Sequence, residues 1–105
     1  MTRRAVERGA DIVCFHEGCI PAYSWLQPLS ASRLSAIAEP VPDGPSVRAL
    51  MAIAAEFHIV VAAGLMEIDG DCVYNTYVVV GPDGYLARHR KLHTFINPHL
   101  APGDR

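Results

Sequence analysis

The chain has 105 residues, of which half are hydrophobic and 19% are charged, and its formal net charge is −2. This length allows one domain with a modest core, and the composition is typical of a globular rather than a disordered chain. The acidic balance offers no basic surface for nucleic acid, and no apolar stretch approaches the roughly 20 residues that span a bilayer. We therefore expect neither nucleic-acid nor membrane partners. Three cysteines without framework spacing fit a reducing compartment, so we expect a cytoplasmic protein.

The first part of the chain predicts a helix, a strand and a loop. Residues Thr2–Gly9 indicate the last turns of a helix that ends at its glycine. The continuous apolar run Asp11–Phe15 predicts a short strand that is covered on both faces. Two prolines disfavour regular structure in His16–Pro28, which we expect to be a loop.

The remainder of the chain predicts two helices and three strands. Ser30–Ala38 has the length of a short helix, and Pro40 follows its end. A second helix is indicated by apolar residues at helical spacing: Val47, Leu50, Met51 and Ala54. Three strands follow, separated by turns rich in Gly, Asp and Pro: Ile59–Met66, Cys72–Val80 and Tyr85–Lys91. This order of elements indicates an α/β layered sheet.

Two charged side chains stand where predicted strands end. Glu17 follows the first strand, and Lys91 closes the last. Open α/β sheets bind ligands beyond the carboxyl ends of their strands. A carboxylate there suits a general base, and an ammonium group suits the stabilisation of a developing oxyanion, so the pair fits acyl transfer at a carbon bound to nitrogen. Taken singly, each residue is also explained as a solvated surface charge.

Short motifs occur in a fixed order along the chain. Upstream, Gly9–Phe15 is followed by Glu17 and Pro21–Tyr23; downstream come Ala63–Glu67, Tyr74–Thr76, Gly81–Gly84, Arg90–His93, Phe95 and Gly103–Asp104. In this order the motifs resemble the nitrilase, or carbon–nitrogen hydrolase, superfamily. The resemblance implies the N-terminal part of a catalytic domain with a partial α-β-β-α sandwich.

The resemblance also implies a Glu–Lys–Cys triad that works without a cofactor or a metal. Glu17 would take a proton from a cysteine thiol, and Lys91 would stabilise the tetrahedral intermediate. The substrate would be a small-molecule amide, nitrile or carbamoyl compound whose non-peptide carbon–nitrogen bond is hydrolysed. Tyr23 and His93 would belong to the substrate pocket. The full-length form is expected to be a homo-oligomer.

Two positions depart from the family pattern. His16 stands where the family usually has a proline, and Pro98 stands where a second glutamate commonly follows the lysine. The missing second carboxylate predicts weaker positioning of the lysine and the substrate. Tyr74 and Asn75 are interpreted as supports of their strand rather than as reactants.

None of the three cysteines matches the nucleophile of the implied triad. In the family it lies on a strand beyond the pair that Gly103–Asp104 matches. Cys14 and Cys72 are interpreted as buried, inert thiols, and Cys19 is the only cysteine close to the candidate base in the sequence. We therefore expect residues 1–105 to be a partial domain that lacks the family's first strand and its nucleophile region, and that shows no turnover alone.

Two other interpretations compete with the enzyme. A metal site would use one of two groups of residues, neither of which has a standard zinc spacing: Cys14, His16 and Cys19, or His89, His93 and His99. A truncated, catalytically inactive remnant or interaction module of the same fold is the other interpretation, because open apolar sheet edges invite association. A cysteine on a downstream strand would favour the enzyme.

Overall fold

The computed structural model of the chain describes residues 1–94 and 96–104. Phe95, one of the residues that carry the family resemblance, lies outside the described residues. The described elements are α1 (Thr2–Glu7), β1 (Ile12–Cys14), a 3-10 helix (Tyr23–Leu26), α2 (Ala31–Ile37), α3 (Pro45–Phe57), β2 (Val60–Asp69), β3 (Cys72–Gly81) and β4 (Gly84–Arg90). The predicted α/β class is confirmed, and apart from the 3-10 helix the sequence predicts each of these elements. In this part of the chain no helix is both long and apolar enough to cross a membrane.

The four strands form one sheet in the order β1-β2-β3-β4. β1 runs parallel to β2, and its first partner is Val60 opposite Ile12. β2, β3 and β4 form an antiparallel meander. The turn between β2 and β3 contains Gly70, whose φ of +59° lies in the left-handed region that glycine adopts without strain. The connection from β1 to β2 contains the 3-10 helix, α2 and α3.

The two faces of the sheet pack against different elements, because successive side chains of a strand point to opposite faces. One face packs against α3 in a cluster formed by Val47, Leu50, Ala54, Val61, Ala63, Leu65, Val78 and Val80, with Ile59 beside them. A second cluster joins the other face to the 3-10 helix, α2 and the segment after β4: Leu26, Leu29, Leu34, Met66, Val73, Ile96 and Leu100. The loop after β1 meets this second face beside the cluster.

Local hydrogen bonds explain where the helices begin. Ser30 caps α2, and its side chain accepts a hydrogen bond from the backbone nitrogen of Arg33 at 3.3 Å. Pro45 occupies the first position of α3, where no backbone donor is needed. The Glu39 carboxylate accepts from the backbone nitrogen of Ser46 at 2.7 Å, and so satisfies a donor in the first turn.

The structure corrects the sequence analysis at β1 and at two cysteines. β1 lies at the edge of the described sheet, and Ile12 is 59% exposed, so the prediction of a strand covered on both faces is wrong. An apolar run predicts burial on both sides only when elements flank it on both sides. Cys14 lies on the same exposed strand, and Cys72 begins β3 beside a turn. Both thiols are exposed rather than buried.

Candidate active site

The loop after β1 carries Glu17 across β2 at very close range. The backbone nitrogen of Ile20 donates to the Gly64 carbonyl at 3.1 Å, which fastens the loop to the strand. A Cβ at Gly64 would come within 2.9 Å of the Glu17 carbonyl carbon, and closer still to the backbone nitrogen of Gly18. The position of Glu17 therefore depends on the missing side chain of Gly64.

Glu17 and Lys91, which lie 74 positions apart in the sequence, are in direct contact. The Lys91 Nζ donates to the Glu17 Oε1 at 2.5 Å, and the Asn75 Nδ2 donates to the same oxygen at 2.6 Å. The backbone nitrogen of Lys91 also donates to the Asn75 carbonyl at 2.8 Å. The Glu17 and Lys91 side chains are 39% and 30% exposed, so solvent screens their attraction. The arrangement fixes positions more than it stabilises the fold.

These residues line a depression that opens to solvent on the second face of the sheet. Its lining, which we call the Glu17 depression, consists of Glu17, Asn75, Tyr77, His89 and Lys91. Tyr77 lies opposite His89 in the strand register. Asn75 is two residues before Tyr77 in β3, so the two side chains share one face of the sheet. The depression therefore presents a carboxylate, an ammonium group, an amide, a phenol and an imidazole to one small volume.

Tyr77 joins the β1 end of the site to β3. Its hydroxyl donates to the Phe15 carbonyl at 2.5 Å. Burial raises the pKa of Tyr77, and the nearby Cys14 and Cys19 raise it further. Tyr77 is therefore a protonated donor at neutral pH, which suits its bond to the Phe15 carbonyl.

Of the four predicted site residues, the structure brings two together. Glu17 and Lys91 are in contact, whereas Tyr23 and His93 do not line the Glu17 depression. Tyr23 begins the 3-10 helix, partly packed against the second cluster, and His93 is exposed. Their assignment to the substrate pocket stays a prediction. Within residues 1–94 and 96–104, no three His, Cys, Asp or Glu side chains are grouped as a metal site would need.

Three residues of the depression are not among the predicted site residues. The sequence predicts Asn75 to be a support of its strand, and in the structure its side chain contacts Glu17. Tyr77 has no predicted role, and His89 enters the sequence analysis only as a candidate ligand of the competing metal site. The two-residue period of a strand contained the signal, because Tyr77 shares a face with Asn75 and His89 shares a face with Lys91.

A buried ionic network lies on the opposite face of the same strands. We call it the Glu67 network, and its members are Glu67, Thr76, Arg88 and Arg90. Glu67 is only 1% exposed, and it accepts hydrogen bonds from the Thr76 Oγ1 at 2.7 Å and from two nitrogens of Arg90 at 2.9 Å each. Arg88 donates to the same carboxylate. The network joins β2 to both β3 and β4.

The Glu67 network lowers the pKa of the Glu67 carboxyl below its ordinary value of 4.5. Burial alone would raise this pKa, but hydrogen bonds from Arg90 and Thr76 and the charges of Arg88 and Arg90 outweigh burial. Because the pKa of Glu67 is lower in the folded state than in the unfolded state, its carboxylate stabilises the fold at pH values above the pKa of the unfolded state. This stabilisation is lost as the pH falls through the folded value.

We expect the effect of Glu67→Gln on stability to depend on pH. The free energy of unfolding of the variant should lie furthest below that of the wild type near pH 7. The difference should narrow as the pH falls below about 4.5, because protonation then removes the same charge from the wild type. Urea titrations of both proteins at pH 7 and pH 3 measure the two differences. A difference that stays constant would contradict the lowered pKa of Glu67.

Comparisons with known proteins identify the family of the chain. The family model described as carbon-nitrogen hydrolase matches residues 1–105. The chain is 32% identical to a nitrilase of Pyrococcus abyssi over 106 residues, which cover 99% of this chain and 39% of that protein. It is 38% identical to the human omega-amidase NIT2 over 95 residues, which cover 89% of this chain and 32% of that protein. The chain thus spans roughly a third of the length of these two relatives.

Solved structures show the same fold. Nit3 of Saccharomyces cerevisiae, a member of branch 10 of the nitrilase superfamily, aligns with a TM-score of 0.75 and 27% identity over 98% of this chain and 40% of that one. A carbon-nitrogen hydrolase of Helicobacter pylori aligns with a TM-score of 0.79 and 20% identity, over 98% of this chain and 37% of that one. These alignments confirm the nitrilase-type fold. The chain belongs to the carbon–nitrogen hydrolase family.

Proposed function

We propose that this chain supplies the base and the cationic group of a Glu–Lys–Cys triad that hydrolyses non-peptide carbon–nitrogen bonds. The substrate is a small amide, nitrile or carbamoyl compound. The observation that carries the proposal is the contact of 2.5 Å between the Lys91 Nζ and the Glu17 Oε1, within a depression that opens to solvent. Family membership and relatives named nitrilase and omega-amidase support it.

In the proposed reaction, Glu17 and Lys91 have different roles. Both described bonds to the Glu17 carboxylate use Oε1, and the proposal gives the thiol proton to this carboxylate. The thiolate attacks the carbon of the substrate, and an amide or carbamoyl compound then gives a tetrahedral intermediate directly. A nitrile first gives a planar thioimidate, to which water adds to form the tetrahedral intermediate. The Lys91 ammonium offsets the negative charge that develops there. Glu17 returns its proton to the leaving nitrogen, ammonia or an amine departs, and water then hydrolyses the resulting thioester to the acid and the free thiol.

The proposal assigns the thiol to protein outside residues 1–105. None of the described cysteines lines the Glu17 depression. Cys19 is the nearest in sequence to the base, but its Sγ lies 3.6 Å from the Gly64 carbonyl, to which it donates. We therefore expect the 105-residue chain alone to give no turnover, and we propose the activity for a longer protein that contains it.

The second candidate is a non-catalytic interaction module of the same fold. The observation that favours it is the exposure of apolar side chains on both outer strands of the described sheet. Ile12 on β1 and Leu86 on β4 are both exposed. Sheet edges with apolar side chains pair readily with other chains. A measurement of catalysis separates this candidate from the first.

The test uses the complete protein encoded by the reading frame that contains this chain. It measures the ammonia released when this protein is incubated with a substrate. The substrates are an aliphatic nitrile, an ω-amide and an N-carbamoyl amino acid. We expect turnover of at least one of them, and we expect Glu17→Gln and Lys91→Ala each to lower kcat/KM by about 100-fold or more, because each removes a group that acts in the transition state. Circular dichroism confirms that the variants are folded.

Two matched variants serve as controls. Glu56→Gln and Arg48→Ala make similar changes of charge at exposed positions of α3, and we expect kcat/KM to stay within about twofold of the wild type because surface substitutions have small effects. Turnover that survives Glu17→Gln or Lys91→Ala would refute the proposed roles. Absence of turnover on all three substrates would favour the interaction module.

A further inference from the structure

We infer that Glu67, which lies outside the Glu17 depression, is a positioning residue that holds Lys91 in place for its contact with Glu17. The inference rests on the proposed function of the Glu17–Lys91 pair and adds a residue to it. Glu67 acts from the opposite face of the sheet, through its hydrogen bonds with Thr76 on β3 and Arg90 on β4. Three observations carry the inference.

The first observation is the strand register. Thr76 and Arg90, which both donate to Glu67, lie directly opposite each other in β3 and β4. Asn75 precedes Thr76, Lys91 follows Arg90, and both belong to the site. The backbone nitrogen of Lys91 donates to the Asn75 carbonyl and so joins the two. Because strand side chains alternate between faces, the network and the site share this stretch of backbone from opposite sides.

The second observation is the place of Lys91 in the sheet. β4 is an outer strand of the described sheet and ends at Arg90, so Lys91 directly follows its last residue. The ends of outer strands open more easily than central strands do. The Lys91 carbonyl accepts a bond from the backbone nitrogen of Gly103 at 2.9 Å. The bond between Glu67 and Arg90 therefore restrains the strand end at the residue next to Lys91.

The third observation is the geometry of the network. Arg90 presents Nε and Nη2 to the two oxygens of one carboxylate, at 2.9 Å each. Such a paired contact fixes the orientation of the guanidinium as well as its distance. A buried ion pair adds little net stability compared with well-packed apolar side chains, so its main use is to select one geometry. Here the selected geometry includes the end of β4.

The experiment uses the fact that Lys91 is the only lysine in the sequence. A chain labelled with ¹³C-lysine therefore gives a single ε-methylene signal from a lysine side chain. The reporter is the change in this chemical shift on Glu17→Gln at pH 7, which removes the charge 2.5 Å from Nζ. We compare this change in the wild-type background with the change in a Glu67→Gln background. If Glu67 positions Lys91, the response in the second background falls to less than half.

Two further variants make the result specific. Leu34→Ala truncates a fully buried leucine of α2, outside the network and the depression, and destabilises the chain without changing these contacts. In that background we expect the full response to Glu17→Gln. Thr76→Val keeps the shape of the side chain but removes one donor to Glu67, and we expect an intermediate response. This variant carries the test if Glu67→Gln does not fold.

The outcomes separate this inference from the proposed function. A full response in both the Glu67→Gln and the Thr76→Val backgrounds overturns the inference, and if Glu67→Gln does not fold, a full response in Thr76→Val is sufficient. A response that Leu34→Ala reduces equally also overturns it, since the role is then one of general stability. If Glu17→Gln leaves the Lys91 signal unchanged in the wild-type background, the Glu17–Lys91 contact itself is refuted. That result overturns the proposed function together with this inference.

Discussion

Replacing Glu67 with glutamine is expected to lower the free energy of unfolding by about 3 kcal/mol at pH 7. The substitution removes the charge from a side chain that is 1% exposed and leaves two arginines without their buried partner. Arg88 and Arg90 are 35% and 16% exposed, so water partly solvates them and the loss lies at the low end of the range for broken buried pairs. Urea unfolding followed by circular dichroism measures the change.

The matched control is Asp69→Asn, because Asp69 is a second carboxylate on the same guanidinium. The Arg90 Nη2 donates to the Asp69 Oδ2 at 2.9 Å, but Asp69 is 63% exposed. Arg90 also lies 4.0 Å from the centre of the Tyr74 ring, which helps to hold it in either variant. We expect Asp69→Asn to cost less than about 1 kcal/mol. Equal losses of unfolding free energy in Glu67→Gln and Asp69→Asn would show that burial of the carboxylate does not determine its contribution to stability.

Gly64→Ala is expected to have the second large effect, on the site and on the fold together. The new Cβ would overlap the backbone of Glu17 and Gly18, in the loop that the bond from Ile20 to the Gly64 carbonyl fastens to β2. Overpacking of this kind costs about 1–3 kcal/mol. The loop should move away and take Glu17 from Lys91. We expect a lower urea midpoint, and a Lys91 ε-methylene shift like that of Glu17→Gln.

Gly81→Ala provides the control for this substitution. Gly81 ends β3, and a Cβ there would meet the end of the Leu86 side chain at 3.1 Å rather than backbone. Leu86 is 59% exposed. The change in stability should stay within about 0.5 kcal/mol, and the Lys91 signal should not move. If both glycine variants change the stability and the Lys91 signal equally, the close approach of the Glu17 loop to β2 does not explain the effect of Gly64→Ala.

Local patterns in the sequence were sufficient to predict most of the elements. The apolar spacing of Val47, Leu50 and Ala54 predicted α3, and these three residues are buried in the structure. The turns at Gly70 and Gly84 predicted the meander, because both glycines adopt positive φ values. Such signals come from residues that are close together in the chain, so a single sequence is sufficient to recognise them.

What the sequence could not give depends on partners that are distant in the chain. The exposure of β1 follows from its place at the edge of the sheet, which the composition of the strand does not record. Glu67 is a lone acid in an apolar strand, and only the register with β3 and β4 shows that two arginines reach it. The contact of Asn75 with Glu17 likewise spans 58 positions, so no local pattern around Asn75 indicates it.

The order of the strands gives the two halves of the site different dynamic properties. Lys91 follows a meander whose strands are joined by short turns, so the backbone hydrogen bonds between these strands form early and open together. Glu17 follows a strand of three residues whose partner in β2 lies almost half the chain away, so its docking requires a long loop closure. Amide hydrogens near Glu17 should therefore exchange with solvent through local opening, while those of the meander remain protected. A ligand that contacts both residues would slow this exchange and couple the two units.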